Sequence, residues 1–182
     1  MHRVFTAALA VAAAAIAGGA RADHHLADVE EGPACKYCGM DRAKFASSRM
    51  VVEYDDGSKL AACSLHCVAV DLAGQYDKIP VAIRVADLET HELLDAEKAV
   101  WVLGGSRPGV MSKRAKWAFA DRARARAFVK ASGGKIVGFE EAMKAAYGDM
   151  YEDSRSIRER RRAKRAASSP AQPAAHPAGH AH

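Results

Sequence analysis

The 182-residue chain has an ordinary apolar content of 49% and a formal net charge of +5. Seven of its arginines and lysines crowd into residues 155–165, and the rest of the chain is close to neutral. A near-neutral body offers no broad basic face for nucleic acid, so we expect no nucleic-acid partner. The length suits one domain or two small subdomains.

The first 22 residues predict a secretory signal peptide. A positive start is followed by the apolar run Val4–Ala17, which is shorter than the roughly 20 residues of a membrane-spanning helix. Ala20–Ala22 forms a small-residue cleavage site, so the mature, periplasmic chain is expected to start at Asp23. An uncleaved N-terminal anchor is the alternative. No cysteine lies near this site, so we expect any membrane association to occur without lipidation.

Four cysteines follow as two close pairs, Cys35-x2-Cys38 and Cys63-x3-Cys67. In an exported protein, an even number of cysteines ordinarily indicates disulfides. Close pairs, however, bring sulfurs onto one ion, and the chain is large enough to fold without disulfides. The pattern therefore favours a metal site, with two disulfides as the alternative.

The residues next to the first cysteine pair indicate which metal the site would hold. Four cysteines suit a closed, tetrahedral zinc site with a structural role. Cys38 is followed by Gly39, which permits a tight turn, and by Met40, whose thioether favours Cu(I). His66 is a spare nitrogen donor, which we interpret as a surface residue that faces away from the site. Copper and zinc both stay open at this point.

Between the cysteine pairs the pattern predicts a β-hairpin followed by a helix. The strands are expected at Arg49–Tyr54 and Lys59–Ala62, with a turn at residues 55–57. Ser64 stands at the N-cap position of a helix over Leu65–Ala73. This arrangement would bring both cysteine pairs together at the start of a helix, where thiolates are favoured.

The second part of the chain predicts more strands and two helices. The strands are expected at Val81–Val85, Ala99–Leu103, Arg114–Phe119 and Lys135–Val137, and the helices at Asp121–Ala131 and from Glu140 onward. A loop over residues 104–109 leads to Met111. Strand followed by helix recurs after Met40 and after Met111, which suggests a faint internal repeat.

The C-terminal segment divides into a basic and a low-complexity part. Residues 155–165 are expected to continue the preceding helix as a solvated face, and the alternative is an electrostatic hold on an acidic partner or an anionic membrane. Ser168–His182 is rich in Ala, Pro and His and is expected to be disordered, with at most an accessory role in metal binding.

Catalytic motifs are missing from the sequence. The first cysteine pair precedes a hairpin, whereas a thioredoxin-like pair opens a long helix. Gly104-Gly105 lacks the Lys-Ser of a phosphate loop, and His91 has no second histidine at helical spacing. A cysteine and methionine cluster without a positioned base indicates a binding site, so we expect no enzyme activity.

The ordered motifs resemble the nitrous oxide reductase accessory proteins of the NosL family. The resemblance covers residues 35–141, and the first half also resembles the small TRASH or YHS metal-binding modules. The motifs are Cys35-x-x-Cys38-Gly39-Met40, Cys63-Ser64 after a strand, Leu94–Ala96, the strand Ala99–Gly104, Gly109-x-Met111, Trp117–Ala120, and Gly133–Lys135 followed by Phe139.

The resemblance implies a fold and a ligand set. The fold is α+β with two similar ββα-type halves, the first a metal module like a zinc knuckle or treble clef. Cys38 and Met40 become the foremost ligands, with Cys35 and Cys63 in the same pocket and Met111 placed to close the site from the second half. Typical members lack an equivalent of Cys67, which keeps a four-cysteine zinc site open. Many members also carry a lipid-bearing cysteine, which this chain lacks.

The resemblance also implies a function. We expect a periplasmic Cu(I)-binding metallochaperone that delivers copper to an exported copper enzyme, such as nitrous oxide reductase, or to its assembly machinery. The alternative is a structural zinc or thiol module that mediates protein interaction. The expected organisation is a signal peptide at residues 1–22, a cysteine-rich half at 23–80, a second α+β half at 81–150, and a basic, then low-complexity extension at 151–182.

Overall fold

The computed structural model describes residues 26–168. The signal peptide predicted at residues 1–22 and nearly all of the low-complexity tail lie outside this range. Within the described part, no helix is both long and apolar enough to span a bilayer.

The first sheet has four antiparallel strands. They are β1 (Met50–Tyr54), β2 (Lys59–Ala62), β3 (Pro80–Ala86) and β4 (Leu93–Asp95), in the spatial order β2-β1-β3-β4. The β1–β2 hairpin closes where the Tyr54 N–H donates to Ser58 O at 3.0 Å. Met50 and Val52 lie on β1, one of the two inner strands, and are completely buried.

The second sheet has three antiparallel strands. They are β5 (Val100–Leu103), β6 (Lys116–Phe119) and β7 (Lys135–Val137), in the order β6-β5-β7. The loop between β5 and β6 spans residues 104–115 and contains Met111, which adopts a left-handed backbone with φ 60°.

Within residues 26–168, four α-helices and one 3-10 turn complete the fold. They are α1 (Ala27–Glu31), the 3-10 turn Ala46–Ser48, α2 (Leu65–Gly74), α3 (Arg122–Ser132) and α4 (Phe139–Ser168). The sequence did not predict α1, the 3-10 turn or β4, because each is too short to show a hydrophobic period and, unlike β7, none follows a Gly-Gly turn. The basic run does continue α4 as predicted.

The two sheets are built by the same chain path. Each half forms a hairpin, then a helix, then a third strand that pairs with the first strand of the hairpin: β1-β2-α2-β3 and β5-β6-α3-β7. The α+β fold with two similar halves is therefore confirmed, with each ββα unit extended by one strand. Strands β3 and β4 join the first sheet, which therefore runs to residue 95.

A shared apolar core joins the halves and helix α4. Trp101 of β5 is 1% exposed, and its indole N–H donates to Ala96 O at 2.8 Å. Phe139 at the start of α4 packs against it, with ring centroids 6.1 Å apart. Helix α4 continues from there along α2. The last helix thus connects the second half to the cysteine-bearing part of the first.

Candidate metal centre

The first cysteine pair lies in a closed turn ahead of β1. The Cys35 N–H donates to Met40 O and the Gly39 N–H donates to Cys35 O, both at 2.9 Å. Gly39 has φ 72°, a left-handed conformation that glycine adopts without strain. This reversal brings Met40 back beside the cysteines and forms the knuckle that the sequence predicted.

The second cysteine pair lies at the start of α2. Cys63 precedes the N-cap residue Ser64, and Cys67 is in the first turn. The Ser64 hydroxyl does not cap the helix N–H groups. The amino-terminal end of α2, which favours negative charge, therefore faces sulfurs without a competing side-chain cap.

The knuckle and the helix start bring all four cysteine sulfurs together. The Sγ atoms of Cys35, Cys38, Cys63 and Cys67 lie within 4.8 Å of one another, and all four cysteines are free thiols. Cys38 Sγ lies 3.4 Å from Cys63 Sγ, which lies 3.8 Å from Cys67 Sγ. Four sulfurs placed about 2.3 Å from one tetrahedral ion would stand about 3.8 Å apart. The described thiols therefore fit a single ion.

Met40 adds a thioether at the edge of this cluster. Its Sδ lies 4.0 Å from Cys63 Sγ. Cys35, Cys63 and Cys67 are buried, whereas Cys38 and Met40 are partly exposed. We call this side, formed by Cys38 and Met40, the exposed edge of the sulfur cluster. The sulfur cluster is open to solvent on this side.

Met111 occupies a different position. It packs, partly buried, against the same apolar cluster as the cysteines. Its loop lines a cavity of about 270 Å³ together with Asp153 and Arg160 of α4. The second-half methionine thus lies beside α4, against the shared apolar core.

Crowding makes the four thiols unequal acids. Hydrogen bonds from Cys38, Cys63 and Cys67 lower the pKa of Cys35. The hydrogen bond with Cys35 raises the pKa of Cys38, but the hydrogen bonds with Cys63, Cys67 and the Met40 backbone together lower it further, so that it falls to about 7. The hydrogen bonds to Cys35 and Cys38 raise the pKa of Cys63 and of Cys67. The first negative charge is therefore favoured at Cys35, and a bound cation would stabilise further thiolates.

Asp71 ties the knuckle to α2. It lies one helical turn beyond Cys67 and is completely buried. It accepts hydrogen bonds from Tyr37 at 2.5 Å, from Lys36 at 3.2 Å and from the Tyr54 hydroxyl. Burial and the carboxylate of Asp71 raise the pKa of Tyr37 to about 12, so this phenol stays protonated and donates.

Arg42 holds the other side of the knuckle. Its guanidinium is completely buried and donates to Asp28 Oδ2 at 2.7 Å and to four backbone carbonyls. These are the carbonyls of Asp28, Gly32, Met50 and Ala62, at 2.6–3.2 Å. Asp28 also binds Arg49, at 2.9 Å. Arg42 therefore joins α1, β1 and β2 directly behind the cysteines.

Sequence reasoning missed most of this supporting layer. The spacing of Cys67 and Asp71, four residues apart on one helix face, was the available signal for Asp71. Nothing in the sequence marked Arg42. The expectation that His66 is a surface residue is wrong: it is 5% exposed and packs beside Asp153 of α4, with 3.8 Å between Nδ1 and Oδ2.

Comparison with known proteins identifies the family. The NosL family model matches residues 26–147. The chain belongs to the NosL family. The crystal structure of the copper chaperone NosL from Shewanella denitrificans has a similar fold, with a TM-score of 0.52 and 23% identity, over 59% of this chain and 87% of that chain. No curated protein matches the sequence.

The NosL match ends well before the basic part of α4. Residues 148–168 continue the helix beyond the matched region. The knuckle, the start of α2 and the loop with Met111 all lie inside the matched region, residues 26–147. The resemblance predicted from the sequence motifs is thus confirmed for the whole folded body, and the helical extension is a feature of this chain beyond the family match.

Proposed function

We propose that this NosL protein is a periplasmic Cu(I) carrier that delivers copper to an exported copper enzyme, such as nitrous oxide reductase, or to its assembly machinery. Cu(I) is its cargo, and the chain acts as a binding protein rather than an enzyme. The observation that carries the proposal is the sulfur cluster with a thioether at its exposed edge.

The donor set suits Cu(I) on chemical grounds. Thiolate and thioether sulfurs are soft donors that select Cu(I), whereas zinc makes little use of thioethers. Met40 Sδ lies 4.0 Å from Cys63 Sγ, close enough for a small adjustment to bring both onto one ion. The solved NosL copper chaperone has the same kind of fold, which agrees with this role.

The exposure of the cluster suits a carrier. A structural zinc site is closed on all sides, and a site that transfers its ion needs an accessible ligand. Cys38 and Met40 are partly exposed here. A recipient thiolate or thioether could therefore approach the ion from that edge while Cys35, Cys63 and Cys67 still hold it.

An anaerobic competition titration with Cu(I) and Zn(II) tests this proposal. The chain is used reduced, with His176, His180 and His182 replaced by alanine to prevent weak binding in the tail. We compare wild type with Met40→Leu and with the matched control Met143→Leu, a partly buried methionine of α4. Met111→Leu tests whether the second half contributes a ligand.

We expect one Cu(I) per chain, with affinity reduced about tenfold in Met40→Leu, the equivalent of ~1.4 kcal/mol. The control Met143→Leu should bind Cu(I) as wild type does, and the zinc affinity of Met40→Leu and of Met143→Leu should be the same. Preference for zinc, with unfolding on chelation and no effect of Met40→Leu, would instead establish a structural module. Cell fractionation and N-terminal sequencing test the periplasmic location, with Asp23 as the expected first residue.

A further inference from the structure

Helix α4 is bound to the rest of the protein along its middle but is fully exposed at its C-terminal end. Its middle is fastened to the body by carboxylates: Asp149 binds Arg114 at 2.8 Å and Lys116 at 2.9 Å. Asp153 is 3% exposed and accepts a hydrogen bond from the Lys113 N–H at 3.0 Å. From Arg158 onward, every residue of the helix is exposed. We call residues 158–168 the basic end of α4.

The basic end carries uncompensated positive charge. It contains five arginines and one lysine but a single acid, Glu159, which lies 3.9 Å from Arg155. Within residues 26–168, no carboxylate is within ion-pairing distance of Arg158, Arg162 or Arg165. These three arginines follow one another on one helix face, where like charges at this spacing repel. An anionic surface would relieve that repulsion.

The basic end also lies beside the sulfur cluster. Arg161 Nη2 donates to Cys38 O at 3.4 Å, across 123 residues of sequence. Cys38 and Met40 form the exposed edge, so the positive charge stands next to the accessible ligands. A molecule held by the basic end would meet the ion from the side on which it can be released.

We propose that the basic end of α4 is a docking surface for an acidic face of the protein that receives the metal. This inference rests on the carrier function proposed above and names the chemistry of the recipient. Complementary charge accelerates encounter and orients the partner. The basic end begins after the NosL match, which ends at residue 147. The proposed docking surface therefore lies outside the part of the chain that matches the family.

The side chains of the basic end favour a protein over a lipid surface. Helices that lie in a membrane interface present large apolar residues on one face. Residues 158–168 read RERRRAKRAAS, with alanine as their only apolar type. Such a helix has nothing to insert among lipid chains, whereas its arginines suit the carboxylates of a protein face.

The experiment compares two sets of three substitutions in the full chain. The first replaces Arg158, Arg162 and Arg165 by glutamine and leaves Arg161 in contact with Cys38. The matched control replaces Arg122, Arg126 and Lys130 by glutamine, three exposed cations at similar spacing on α3. Both sets remove the same charge, but only the first lies beside the sulfurs.

The first readout is binding of poly-L-glutamate by the metal-free chain, followed by fluorescence anisotropy at low salt. We expect at least a fivefold loss of affinity in the α4 set and wild-type binding in the α3 set. Equal losses in both sets would overturn the proposal, because net charge alone would then account for binding. This readout needs no copper, so it separates failure of the docking surface from failure of the carrier function.

The second readout is the rate at which the Cu(I)-loaded chain passes its ion to the anionic chelator bathocuproine disulfonate. We expect a several-fold slower transfer in the α4 set, a difference that disappears at high salt, and an unchanged rate in the α3 set. An unchanged rate in the α4 set would overturn the proposed guidance. Binding to phosphatidylglycerol vesicles that is tighter, per anionic group, than binding to poly-L-glutamate would replace the acidic protein by a lipid surface.

Discussion

The two halves share one chain path but carry different residues at the same place, the corner where the second strand of the hairpin meets the helix. In the second half, Asp121 caps α3, and its carboxylate accepts the N–H groups of Ala123 and Arg124. In the first half, the N-cap residue Ser64 gives α2 no side-chain hydrogen bond, and the thiols of Cys63 and Cys67 lie there instead. The fold supplies a strand-to-helix corner twice, and only the residues placed at it make one corner a metal site.

The halves also differ in how they stabilise that corner. The first buries charge behind its knuckle, at Arg42 and Asp71, both completely inaccessible. The second packs rings, with Phe119 and Phe128 5.3 Å apart between centroids, and takes its buried carboxylate, Asp87, from the loop after β3. A loop that must hold sulfurs near one point is too polar and too short to bury much apolar surface. Hydrogen-bonded charge replaces apolar packing there.

The largest expected effect comes from Arg42→Met, which tests whether buried charge holds the knuckle. It removes the hydrogen bonds from Arg42 to Asp28 and to four carbonyls while keeping an apolar stem, so we expect a loss of ~3 kcal/mol in the free energy of unfolding. Urea unfolding of the metal-free chain measures it. Arg84→Met, on the exposed side of β3, is the control and should cost less than about 0.5 kcal/mol. Equal effects would show that Arg42 contributes no special support.

The next effect compares two buried carboxylates, Asp71 beside the sulfur cluster and Asp87, which binds the start of the second half's helix α3. Asp87, which follows β3, accepts three backbone N–H groups, from Glu89, Thr90 and Ala120. Backbone N–H groups cannot become acceptors, so Asp87→Asn leaves a donor facing a donor and should cost ~2 kcal/mol. The donors to Asp71 include two tyrosine hydroxyls, which can rotate, so Asp71→Asn should cost ~1 kcal/mol.

The acid dependence of stability gives an independent test of Asp87. Burial opposes its charge, but the N–H groups of Thr90, Ala120 and Glu89 outweigh burial and lower its pKa below the ordinary 3.8. The Asp87 carboxylate therefore contributes its full stabilisation of the folded state above pH 3.8. This stabilisation is lost as the pH falls through the lowered pKa of Asp87. As the pH falls from 6 to 2.5, the free energy of unfolding should decrease less steeply for Asp87→Asn than for wild type. Parallel curves would contradict this assignment.

The smallest effect concerns the turn of the knuckle. At Gly39 no atom lies within 4 Å of an added Cβ, so Gly39→Ala pays only for its left-handed backbone, ~1 kcal/mol. Because the same turn positions Met40, we expect weaker Cu(I) binding as well. Gly74→Ala, at the end of α2 with equally open space and no positive φ, is the matched control. Thermal unfolding and the Cu(I) titration together measure both effects.

The sequence predicted the elements that have a period or a turn signature. The hairpin, α2, α3 and β7 lie within one or two residues of their expected bounds, and the clustering of cysteines followed from their spacing and a helix cap. It could not predict that β3 joins the first sheet, because pairing between distant strands leaves no local mark. Arg42 and the contact from Arg161 to Cys38 O were hidden for the same reason, since their partners lie elsewhere in the chain.

Helix α4 also acts as a lever. It starts at Phe139, against Trp101 in the shared core, and its 30 residues give a rod of about 45 Å. Ion pairs of Asp149 with Arg114 and Lys116 and the hydrogen bond from Lys113 to Asp153 hold the middle of that rod. Arg161 lies roughly 12 Å beyond Asp153, so a tilt of about 15° there moves it by about 3 Å, the length of a hydrogen bond. The carboxylates in the middle of α4 therefore set how closely the basic end covers Cys38.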